Sequence, residues 1–66
     1  MVKIMFAKDI LNNQERQQFT IKGWNLDSTE SMTNLKQRYL SNTVYWKTTV
    51  PKFSKLVQRL IDANAI

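Results

Sequence analysis

The chain contains neither a cysteine nor a histidine. No disulfide and no thiolate or imidazole metal site can staple it. Whatever it folds into must therefore be held by non-covalent packing, with no covalent or metal staple. Its 66 residues allow one domain, 1–66. A domain of that length buries only ~60% of the surface its unfolded chain exposes. Seven aromatic residues and an apolar fraction of 42% supply enough material for a core and argue against wholesale disorder.

The same absences narrow the chemistry. Without histidine there is no side chain that ordinarily titrates near neutral pH to act as a general base. A single glycine, Gly23, cannot build a glycine-rich phosphate loop. No enzyme, no cofactor and no metal is expected. The opening apolar run is broken by Lys3 and Lys8, too early for a secretory signal, and no stretch approaches the ~20 apolar residues of a membrane span. The expected setting is cytoplasmic, with no membrane partner.

Local periodicity predicts an α+β fold in the order β-β-α-β-α. Val2, Ile4 and Phe6 alternate with Lys3, Met5 and Ala7, the period of a strand. Phe19 and Ile21 alternate with Thr20 and Lys22 up to Gly23-Trp24 and predict a second strand, hairpinned to the first. The polar run 12–17 between them reads as a loop, although a short helix through 8–18 competes, since Gln, Glu, Arg and Leu are acceptable helix formers. Asp27 and Glu30 resemble a capping box, and Met32, Leu35 and Tyr39 follow at helical spacing, with a helix over about 28–41. The stretch 43–50 is dense in β-branched and aromatic side chains and predicts a third strand. Pro51 fits the first turn of an amphipathic helix over about 51–63, with Phe53, Leu56, Val57, Leu60 and Ile61 on one face. Two helices on one face of a small antiparallel sheet result.

Charge is distributed unevenly along the chain. The formal net charge is +5. Residues 1–35 are neutral, with Lys3, Lys8, Arg16 and Lys22 against Asp9, Glu15, Asp27 and Glu30. Residues 36–66 carry Lys36, Arg38, Lys47, Lys52, Lys55 and Arg59 against Asp62 alone. Uncompensated like charge disfavours compaction unless a partner neutralises it. On a helix from Pro51, Lys52, Lys55 and Arg59 form a stripe beside the apolar face. Such a stripe is also what a solvated helix flank with snorkelling stems looks like.

These features predict a small basic nucleic-acid-binding protein, a regulator or accessory factor, on DNA rather than RNA. Lys47, Lys52, Lys55 and Arg59 are expected on phosphates and Lys36 and Arg38 beside them. Tyr45 and Trp46 would point to opposite sides of a strand, one of them free to stack or wedge. A homodimer would double the charge and cover apolar surface. The alternative is a small inhibitor or adaptor for an acidic partner protein, with hot spots at Trp24, Tyr45, Trp46 and Phe53. The stretch Val44, Trp46, Lys47 followed by Val50-Pro51 resembles the end of a recognition helix in phage repressors. The small-residue and glycine pair of a tight turn is missing before Ser41, and no family is assigned.

Overall fold

The computed structural model describes residues 6–66. Among them there are five helices and no strand: α1 (Ala7–Ile10), α2 (Asn13–Ile21), α3 (Thr29–Ser41), α4 (Thr43–Thr49) and α5 (Pro51–Asp62). The expected α+β sheet is not formed by these residues. The predicted first strand lies mostly outside the described residues, and its last position, Ala7, opens α1.

The second predicted strand is the end of α2, and burial shows why. A strand would put Phe19 and Ile21 on one face. Phe19 is 0% exposed and Ile21 is 76% exposed, which is what two residues about 200° apart on a helix should show. Two alternating pairs were too short a pattern to separate the periods. The helix begins where a loop was expected. Asn12 Oδ1 accepts from the Glu15 N–H at 2.9 Å, while Glu15 Oε1 accepts from the Asn12 N–H at 2.9 Å. This reciprocal box satisfies two otherwise unpaired N–H groups. The competing single helix through 8–18 is not formed either: Leu11 and Asn12 are extended and divide that span into α1 and α2.

Gly23 ends α2. Its φ is +85°, and the Trp24 N–H reaches the Phe19 carbonyl at 2.8 Å while the Gly23 N–H reaches that of Thr20 at 3.0 Å. These are the paired bonds of a Schellman cap. A Cβ added at Gly23 would meet nothing within 4 Å, so its substitution costs backbone energy alone. Gly23→Ala is expected to lower unfolding stability by about 1–2 kcal/mol in urea titrations. Asn64, with φ 56°, closes α5 by the same geometry.

Sequence spacing located α3 and α5 correctly to within a residue or two. The cap of α3 is displaced by one position from the Asp27–Glu30 box: Ser28 accepts from the Ser31 N–H at 3.2 Å. Asp27 instead pairs with Lys8 at 3.3 Å.

The third predicted strand is α4. Its threonine hydroxyls are satisfied within the helical backbone. Thr43, Thr48 and Thr49 each donate a hydroxyl to the carbonyl four residues earlier, at 2.8, 2.8 and 2.7 Å. A seven-residue helix is unstable alone. Trp46 anchors this one, stacked on Phe53 with centroids 5.9 Å apart and edge to face with Tyr39 at 5.7 Å. α4 follows α3 after the single residue Asn42, not after the three- or four-residue turn of a helix-turn-helix.

One apolar cluster draws on α1, α2, α3 and α5: Ala7, Phe19, Met32, Leu35, Tyr39, Phe53, Val57 and Leu60, joined by Leu11. Tyr39 lies at its centre. Its hydroxyl donates to Gln58 Oε1 at 3.1 Å and lies 3.4 Å from the buried Ser54 Oγ. No helix among the described residues is long and apolar enough to cross a membrane.

Candidate nucleic-acid interface

Burying Phe53, Val57 and Leu60 turns the opposite side of α5 to solvent. At about 100° per residue, Lys52, Lys55 and Arg59 share an arc of roughly 60° on that outer side. Lys47, from α4, joins Lys55 around a depression of about 290 Å³ walled by Tyr39, Pro51, Ser54 and Gln58. Lys52 borders a separate depression together with Gln14, Glu15 and Gln18 of α2. Lys47, Lys52 and Lys55 are all exposed. Among the described residues no carboxylate lies within ion-pairing distance of any of them. Lys47 and Lys55 share one depression and Lys52 borders another, so the three lysines make a discontinuous ridge on the outer side of α4 and α5.

Arg59 sits on the same arc but is engaged. It donates through Nη1 to Glu15 Oε2 at 3.0 Å and through Nη2 to the Ile10 carbonyl at 3.0 Å. Arg16 donates to the Lys8 and Leu11 carbonyls at 2.7 and 3.1 Å. Two guanidinium groups therefore satisfy the carbonyls at the end of α1, where a cation also suits the helix dipole. Arg59 is a structural tie, and its charge is shared with Glu15.

Glu15 is held below the ordinary glutamate pKa, chiefly by the Asn12 N–H and then by Arg59, against an opposing effect of desolvation. A carboxylate with a depressed folded-state pKa stabilises the fold above its unfolded pKa. That contribution is lost as pH falls through the folded value. The acid limb of the stability curve should therefore be steeper for the wild type than for Glu15→Gln, as read from urea midpoints between neutral pH and the lower carboxylate range.

The remaining predicted positions do not join the ridge. Lys36 and Arg38, two residues apart, flank opposite sides of the buried stripe of α3. Arg38 places its guanidinium 5.8 Å from the centroid of Trp24. Trp46 is half-buried against Phe53 and Tyr39. Tyr45 is 59% exposed and projects about 160° away from Lys47 around α4. Because 43–49 is helical, Tyr45 and Trp46 do not take opposite sides; both line one cleft with Trp24 and Phe53. These four are the aromatic residues expected as hot spots in the alternative reading, and Lys22, Thr49 and Val50 are the additions. The legible signal was the four-residue spacing of Tyr45 and Thr49, which puts both on one wall once the segment is helical.

Among the described residues no three carboxylates gather where they could hold a cation. No protein family matches this chain, and no curated protein or solved structure matches it either.

Proposed function

We propose that the protein is a small, non-enzymatic nucleic-acid-binding factor that sets Lys47, Lys52 and Lys55 on the phosphates of duplex DNA. The observation that carries this reading is the ridge itself: three exposed lysines on adjoining helices, unpaired with any described carboxylate. The stretch from Ser31 to Ile61 holds no acid, and the one carboxylate beside Lys52, Glu15 of α2, is already paired with Arg59. Contacts of this kind position a protein on the backbone without reading bases. Non-specific or shape-dependent binding by a regulatory or accessory factor follows.

The test is the salt dependence of binding to a fluorescent duplex of random sequence, measured by anisotropy. Three phosphate contacts give a slope of log K against log salt of about −3. Lys47→Gln should reduce the magnitude of that slope by about one. A slope near zero, or one that Lys47→Gln leaves unchanged, removes the ridge from the interface.

A further inference from the structure

The cleft beside the end of α2 is a second surface, and phosphate binding by the ridge leaves it free. Trp24, Tyr45, Trp46 and Phe53 line about 320 Å³, with Thr49 on the wall and Lys22 at the rim. One cation lines it, and a second lies against one of its rings. Lys22 Nζ lies 5.2 Å from the Phe53 centroid, and Arg38 lies over Trp24. No acid is among its lining residues. Tyr45 and Lys47 diverge around α4, so cleft and ridge open on different sides.

We propose that this cleft docks a short acidic peptide segment of a partner protein. One apolar side chain enters between Tyr45 and the tryptophans, and flanking carboxylates meet Lys22 and Arg38. Three of the four rings already have a partner on one face, which leaves fewer stacking faces for a nucleobase than for the edge contacts of a peptide side chain. A base needs an uncovered aromatic face to stack on. Here Arg38 lies over Trp24, Lys22 lies over Phe53, and Trp46 is stacked on Phe53. Ring edges and the exposed Tyr45 remain, which suit an aliphatic or aromatic anchor of any orientation. Tryptophan, tyrosine and arginine are also the residues most often found to dominate protein interfaces. Two cations with no neighbouring acid select for a negatively charged approach.

Trp24 and Trp46 are the only tryptophans in the chain, so intrinsic fluorescence reports on the cleft directly. The probe is a blocked pentapeptide with a central phenylalanine and two glutamates on either side. A saturable change in emission is expected. It should weaken about tenfold when the glutamates are replaced by glutamine, and by a similar factor when the phenylalanine is replaced by alanine. Tyr45→Ala and Lys22→Glu should each abolish it. Tyr45 is exposed, and a urea midpoint close to the wild-type value would show that its loss acts on the cleft and not on the fold. Lys52→Glu combined with Lys55→Glu should leave peptide binding intact, which separates this result from the duplex experiment. The proposal is overturned by an unsaturable response, by equal binding of the glutamine peptide, or by oligothymidine producing the change in the peptide's place. A dimer in sedimentation that Tyr45→Ala dissolves would likewise assign the cleft to a second copy of the chain.

Discussion

Tyr39→Ala is expected to leave the protein largely unfolded at ambient temperature. Tyr39 is 0% exposed and among the largest fully buried side chains. Truncating a buried aromatic costs about 3–5 kcal/mol in transfer and cavity terms. The loss here is compounded, because Trp46 loses the ring it meets edge to face and the buried Ser54 loses its hydroxyl partner. A chain of 66 residues has roughly 3–10 kcal/mol to lose at the usual per-residue value. Tyr39→Phe keeps the ring and gives up only the polar contacts, so it should cost about 1–2 kcal/mol. Urea denaturation followed by far-ultraviolet circular dichroism measures both. A Tyr39→Ala protein with near-native stability would mean that α3 and α5 do not pack through this residue.

Reversing Lys52 and Lys55 together to glutamate is expected to weaken duplex binding about a hundredfold or more, since each site changes by two charges and turns attraction into repulsion. Both side chains are on the outer side of α5, and neither pairs with a described carboxylate, so the urea midpoint should stay within about 0.5 kcal/mol of the wild type. Arg59→Glu is a different experiment. It removes the bonds to Glu15 and Ile10 and places two carboxylates together, so any loss of DNA binding would be mixed with loosening of α1. The contrast assigns the effect: binding lost with the fold intact locates the interface on the lysines. Unchanged affinity in the double variant ends the nucleic-acid reading of this face.

The parts of the fold that were legible are those where local spacing and packing agree. Met32, Leu35 and Tyr39 lie three and four residues apart, and Phe53, Val57 and Leu60 do the same; both sets are buried on one side of a helix. The parts that were misread are short segments whose residues favour one state and whose packing imposes another. In α4 the β-branched threonines point to a strand by preference. They were overruled by packing, through a single tryptophan that docks on α5, while their hydroxyls found carbonyls within the helix. In α2 the hydrophobic pattern was only two residues long, and the capping pair Asn12 and Glu15 carried the decisive information.

The candidate site divides along the same line. The excess of cations after residue 35 is a property of the chain, readable without coordinates, and so is the helical stripe of Lys52, Lys55 and Arg59. Which of those cations stand free is not. Arg59 is bound to groups 44 and 49 residues away, and Tyr45 and Trp46 are turned from the lysines toward Trp24. Amino-acid order alone dictated the two long amphipathic helices, the lack of any covalent or metal staple, and the location of the positive charge. Tertiary packing decided the state of the short helices, the engagement of Arg59, and the separation of an aromatic cleft from a lysine ridge. The reason is range: helical spacing is written within four residues of the chain, whereas a short helix and a surface charge take their state from neighbours that only folding brings near.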